Sequence, residues 1–249
     1  MAPVRTVTKD RPTLTLVGVV HGDPKGYNKT LALLQRRWPR LVSVEISEYS
    51  WRYRRRQGRR WLAQWHAALA HLPSEQRQHL ALQRLAAQIA MPFEVRAAVT
   101  FARRTGRPWL AVDINALARE HLPFYAAELL QTENLRQLLA TPDGDFQAEI
   151  HCAYERAARA WAGQTPLWLF GPLAADPQAT MREKVLASRL ARLSRRWGRV
   201  VHLGGWEHLV YTGSRRTLLD LLAPLQPQRL LLGDLPDADE PSDEDKEPS

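Results

Sequence analysis

The chain has 249 residues, of which 45% are hydrophobic, and a formal net charge of +9 at pH 7. That length and apolar content suit one sizeable globular α/β domain and exclude a wholly disordered chain. A single cysteine, Cys152, excludes an internal disulfide framework and a multi-cysteine zinc site and fits a reducing compartment. The opening stretch MAPVRTVTKDRP has no apolar leader core and no apolar run approaches the length of a membrane span, so the expectation is a cytoplasmic protein without a transmembrane segment. The tail Pro236 to Ser249 carries seven acids and one lysine; taking its net −6 from the formal +9 leaves +15 on the body. Residues 236–249 have little apolar surface to bury and read as a disordered acidic tail, either solubilising the basic body or competing with an anionic partner for it.

In chain order, TLTLVGVV reads as a buried strand, NKTLALLQRRW as a helix with Leu31, Leu34 and Trp38 at helical spacing, and RLVSVEIS as a second strand. From Trp51 to about Ala90 an arginine-rich and then amphipathic helical region follows, broken near Pro73, with Ser74 as the expected cap of a new helix. MPFEVRAAVTFARRTG forms a helix with Pro92 in its first turn and Gly106 at its end, feeding the strand RPWLAVDI. Residues 115 to 165 read as helical with a turn at TPDGD. The last third reads as a long helix ATMREKVLASRLARLSRRWG, a strand RVVHLGG, a helix from about Trp206 to Leu222 and a final strand RLLLGDL. This alternation predicts a single α/β domain over residues 1–235, a largely parallel sheet flanked by helices, with helical insertions at about 51–90 and 115–175.

Polar residues gather at the strand ends. His21 follows the first strand, Glu45 lies near the end of the second, Asp113 ends the third and His208 follows VVHLGGWEH. In a parallel sheet all four converge on the carboxyl edge, where ligands bind. Two histidines with carboxylates supply nitrogen and oxygen donors suited to manganese, iron, cobalt or zinc, and a metal-activated water is the simplest chemistry such a set can run. Both GVVH and GWEH fit Gly-x-x-His. Chance alone gives about 0.4 such matches, so the shared strand-end context carries more weight than the pattern.

LVGVVH, LVSVEIS, MPFEVRAAVTFARRTGRPWLAVDI, MREKVLASRL and VVHLGGWEH together resemble, in the same order, the motifs of the TraB/PrgY/GumN and Tiki-type superfamily, which is related to erythromycin esterase-like and ChaN-like proteins. The resemblance implies an α/β fold and a divalent-metal hydrolase, in the Tiki-type members a peptidase. It implies His21, Glu45 and His208 as metal ligands, with Glu45, Glu94, Asp113 and Arg182 as catalytic candidates. On that reading Glu94 or Asp113 is a further ligand or general base, and Arg182 pairs with the carboxylates or holds an anionic substrate. Glu183 stands where the family has aspartate, and Ile114 and Asn115 follow Asp113 where relatives often have arginine. As ordinary structural residues, Asp113 would cap the following helix, Glu94 would sit in a first turn facing the helix dipole, Arg182 and Glu183 would be a solvated helix start, and His202 would pack or hydrogen-bond within its strand.

The stretch WRYRRRQGRRW, Trp51 to Trp61, interleaves six arginines with aromatics. It reads chiefly as a solvated basic helix packing Trp51, Trp61 and Trp65 inward; its arginines at 52–60 also have the elements of a nucleic-acid surface, or could select acidic ligands beside the cleft. Two functions follow: a metal-dependent peptidase, or a non-catalytic regulatory protein binding an anionic small molecule, a peptide signal or a haem-like molecule in the same cleft.

Overall fold

Five short runs become strands: β1 Thr13–Val19, β2 Leu41–Ser47, β3 Trp109–Asp113, β4 Arg199–Gly205 and β5 Gln228–Leu231; the β-branched and leucine-rich residues of β1, β2 and β4 are buried on both faces, whereas β3 and β5 are part-exposed. The five form one sheet in the order β3-β2-β4-β1-β5, and every pairing is parallel. The computed structural model describes residues 13–164, 177–210 and 217–236. Nine α-helices lie among the described residues: α1 Gly26–Arg37, α2 Glu48–Ala70, α3 Leu80–Ile89, α4 Phe93–Thr105, α5 Asn115–Leu129, α6 Thr132–Leu139, α7 Phe146–Trp161, α8 Pro177–Trp197 and α9 Leu218–Leu222. The α/β class with helical insertions follows the sequence reading, and α2–α3 and α5–α7 are those insertions.

Strand alternation divides the core in two. Val17 and Val19 of β1 pack with Val42, Val44 and Leu203 under α1 and α4, whereas Leu14 and Leu16 pack with Val200, Leu186, Leu190 and Leu222 under α8 and α9. Trp65, Leu82, Leu85 and Leu135 form a third cluster inside the helical insertions. Leu16, Leu34, Leu186 and Leu203 have no exposed surface; burying a side chain of this size stabilises the fold by about 1.5–3 kcal/mol.

Three boundaries differ from expectation. Residues Ser74–Gln78 form a short 3-10 turn, and α3 starts at Leu80, with the His79 ring rather than Ser74 accepting from the Ala81 amide. The Ser74 hydroxyl is turned to the adjacent Glu75, which takes it away from the backbone. The helix expected from Trp206 is a 3-10 turn over Trp206–Leu209 before α9 starts at Leu218; the intervening 211–216 lie outside the described residues. The final strand ends at Leu231, and Leu232–Asp234 turn. The acidic residues 237–249 and the stretch 165–175 likewise lie outside the described residues. Gly106 ends α4 at φ 70°, a left-handed conformation that glycine adopts without a Cβ clash. In the arginine-rich helix Trp61 and Trp65 are buried, and Trp51 stacks edge-on against Trp109.

Candidate functional site

Parallel pairing puts the carboxyl ends of β1, β2, β3 and β4 on one edge. Gly18 of β1 is opposite Gly204 of β4, and Val19 is opposite Gly205, so the two Gly-x-x-His turns leave adjacent strands one residue out of step. Glu45 projects from β2 on the face covered by α8, with 4% of its side chain exposed. It accepts from Arg182 Nη2 at 2.5 Å and from the Gly205 amide at 2.8 Å, and His208 Nε2 lies 2.9 Å from its Oε1. Arg182, on α8, also grips Asp113 through both Nε (2.8 Å) and Nη2 (2.7 Å). His208 Nδ1 bonds Glu183 Oε1 at 2.5 Å, and Glu183 is 1% exposed. Glu45, Asp113, Arg182 and His208 are thus brought into one network.

His21 and Glu94 form a second pair. His21 Nδ1 is 2.7 Å from Glu94 Oε1, with 58% of the histidine side chain but only 2% of the glutamate exposed. Gly205 joins the pair to the network: a Cβ there would stand 3.2 Å from His21 Nε2 and 3.5 Å from His208 Cδ2. Hydrogen in place of a side chain leaves that space open between the two imidazoles. Each histidine therefore has Nδ1 on a buried carboxylate, and each Nε2 faces the Gly205 and Glu45 region.

Carboxylates outnumber cations in the network. Burial alone would raise the Glu45 carboxyl, but the charge and hydrogen bond of His208, then Arg182, hold it well below the usual range. Burial opposes protonation of His208, yet the Glu45 charge and the hydrogen bonds to Glu183 and Glu45 raise it to about 10. For His21, desolvation is likewise outweighed by the hydrogen bond and charge of Glu94, with Glu45 and Glu207 adding to it, and the ring titrates at about 9. With both rings protonated, the three cations Arg182, His208 and His21 face the four carboxylates Glu45, Asp113, Glu183 and Glu94. Among the described residues no three His, Cys, Asp or Glu side chains stand as a ready coordination group.

A cleft of about 1150 Å³ opens beside His21. Its wall includes Glu94, Glu207, Asp23 and Trp206, whereas Glu45 and His208 do not line it. Tyr154 of α7 braces it: its hydroxyl donates to Asp23 Oδ2 at 3.0 Å and accepts from the Val20 amide at 3.4 Å.

Several ordinary readings of these residues give way. Asp113 does not cap α5: its carboxylate takes Arg182 and the Ile114 amide, while Asn115 turns its side chain to the Tyr49 amide. Glu94 does sit in the first turn of α4, as the ordinary reading has it, but is also buried against His21, its Oε2 without a partner among the described residues, and Arg182 and Glu183 are tied into the network instead of solvated. His202 is buried and bonded to Ser43 Oγ at 3.1 Å, as a strand histidine would be; burial lowers it to about 4. Residues 52–60 lie apart from the network: Arg52 pairs with Glu48 and Arg55 lies over Trp51, while Arg54 alone of them reaches the cleft wall. Sequence reasoning missed Tyr154, Glu207 and Arg189, which donates to the carbonyls of Val112 and Asp113. Glu207, inside GWEH, carried a signal; Tyr154 and Arg189 lie on helices with no local pattern to mark them.

No family model, curated protein or solved structure matches this chain. Its reading rests on its own residues.

Proposed function

We propose that the strand-end site belongs to a divalent-metal-dependent hydrolase acting on peptide bonds, in line with the resemblance to the TraB and Tiki-type superfamily. One observation carries the reading: His21 and His208 are each held at Nδ1 by a buried carboxylate, Glu94 and Glu183, with Nε2 turned toward Glu45 and Gly205. Carboxylate support of this kind fixes the tautomer and raises the basicity of a ligating imidazole. His21, Glu45 and His208 would hold manganese, iron, cobalt or zinc once the two ring protons leave, and the nitrogen and oxygen donor set suits those ions. The metal would supply Lewis acidity and a water of lowered pKa. Glu94 and Glu183 orient the rings, and Arg182 with Asp113 keeps Glu45 ionised and in place. Glu207, exposed on the cleft wall beside His21, is the carboxylate able to accept a proton there, since Glu94 and Asp113 are engaged elsewhere.

A second reading has its own support. Arg182 and His208 already satisfy Glu45 without a metal, which suits a non-catalytic protein binding an anionic ligand in the cleft. Elemental analysis separates the two. Untagged protein should carry or take up about one manganese, iron, cobalt or zinc ion per chain and lose it in His21→Ala and His208→Ala at matched folding. Wild type that takes up none of the four overturns the hydrolase reading.

A further inference from the structure

We infer that the cleft takes an acidic peptide, with carboxylates of the bound chain held by Arg156 and Arg159 of α7; this rests on reading the cleft as a peptide site. Both arginines line the same cleft as His21 and both are exposed. They stand one helical turn apart, so their side chains are neighbours, an arrangement that is mildly unfavourable between like charges unless an anion offsets it. Of the acids of α7, Glu149 is held in a two-point pair by Arg84, and the exposed Glu155 lies against His151. Neither Arg156 nor Arg159 has a carboxylate partner among the described residues. Planar guanidinium groups bind carboxylates through two parallel hydrogen bonds, so a neighbouring pair with no carboxylate partner among the described residues favours that ligand chemistry.

The pair is also fixed in position relative to His21. Tyr154 ties α7 to Asp23 and Val20, on either side of His21. Trp161, at the end of α7, packs so closely on β1 that a Cβ on Gly18 would lie 2.8 Å from its ring. Anchoring on both sides of the arginines fixes their backbone relative to His21, so binding has only their side chains to order.

The mixture of charges favours a peptide over a nucleic acid. Asp23, Glu94, Glu149 and Glu207 line the same cleft; a phosphate backbone, which needs a continuous positive track, would run against them. A peptide presents its charges at separated positions and can meet the arginines while passing the acids. At about 1150 Å³ the cleft exceeds the usual range for small-molecule pockets of about 300–1,000 Å³, which leaves room for a short chain.

The test is fluorescence polarisation on metal-free full-length protein with a short labelled alanine peptide carrying two glutamates, alongside its glutamine and lysine versions. The glutamate peptide should bind at least about tenfold more tightly than the glutamine one. Arg156→Glu with Arg159→Glu should remove that preference, and the milder Arg156→Gln with Arg159→Gln should weaken it, with folding checked by circular dichroism. Arg103→Glu with Arg104→Glu, exposed on α4 outside the cleft, should leave the preference intact. Equal affinity for the glutamate and glutamine peptides overturns the inference, as does equal loss in the α4 variant. Tighter binding of a short oligothymidylate than of the glutamate peptide also overturns it. Because this assay contains no metal, a charge preference without metal uptake refutes only the hydrolase, and metal uptake without a charge preference refutes only this subsite.

Discussion

Replacing His208 by glutamine removes a titrating cation from between two carboxylates and leaves a neutral group in its place. In the folded protein His208 titrates at about 10 instead of 6.5, a difference corresponding to about 5 kcal/mol. The lowered Glu45 carboxyl is the same interaction seen from its partner and is counted once. With 14% of the His208 side chain exposed, solvent screens part of the pair, so about 5 kcal/mol is a ceiling. The folded pKa lies above the unfolded one, so the stabilisation is complete below about pH 6.5 and is lost as the pH rises through about 10. For a chain of this size each kcal/mol moves the melting temperature by about 2–4 °C, which puts the ceiling at about 10–20 °C. The assay is thermal unfolding of metal-free wild type and His208→Gln from about pH 6 to about pH 10.5. His21 titrates in both proteins and cancels in the difference, and His202, lowered to about 4 in the folded wild type, ionises below the range of the assay. Wild type should exceed the variant by a constant margin up to about pH 6.5, and the margin should shrink steadily above that. A margin unchanged across the whole range refutes the reasoning.

Glu94→Gln should bring His21 down from about 9 toward its ordinary value, read from the pH dependence of its imidazole NMR signals. Metal binding should release protons, because both imidazoles are charged at neutral pH; affinity should rise about tenfold per pH unit for each proton displaced, measured by titration in buffers of different ionisation heat. Gly204→Ala places a Cβ 2.6 Å from Glu45 Oε2 and 2.9 Å from His202 Nε2 and should cost about 1–3 kcal/mol in denaturant unfolding. Gly58→Ala, in α2 with nothing within 4 Å, should instead stabilise by about 0.5–1 kcal/mol. Tyr154→Phe strips a hydrogen-bond partner from Asp23 and from the Val20 amide and should cost about 1–3 kcal/mol, read by the same unfolding measurement.

The strands and their end residues were legible because their signal is local. LTLVGVV, LVSVEIS and WLAVD are short, apolar and bounded by helical periodicity, so the positions of His21, Glu45 and Asp113 at one edge followed from parallel pairing alone. The order of the strands was not legible. That β4 sits between β1 and β2 depends on pairing across most of the chain, and no local pattern encodes it. The division of the site into an accessible pair and a buried network was equally hidden. Arg182 and Glu183 look like any charged helix start; only the docking of α8 over the face of β2 that carries Glu45 turns them inward. Trp206–Leu209 was misread because Trp-Glu-His-Leu suits a helix, yet the chain makes a single 3-10 turn there and leaves it extended at Val210, φ −101° and ψ 136°.

The strand order also has a consequence for synthesis. Among the described residues β1 pairs only with β4 and β5, both from about the last fifth of the chain, so when β1 leaves the ribosome these partners have yet to be made. At about 5–20 residues per second, its apolar stretch waits about ten to forty seconds for Arg199–Gly205 to follow. During that wait it is an unpaired, β-prone segment of the kind holdase chaperones protect. The edge carrying both histidines is therefore assembled last, and a translation product that stops before β4 contains His21, Glu45, Glu94, Asp113, Arg182 and Glu183 but has no central strand to bring them together.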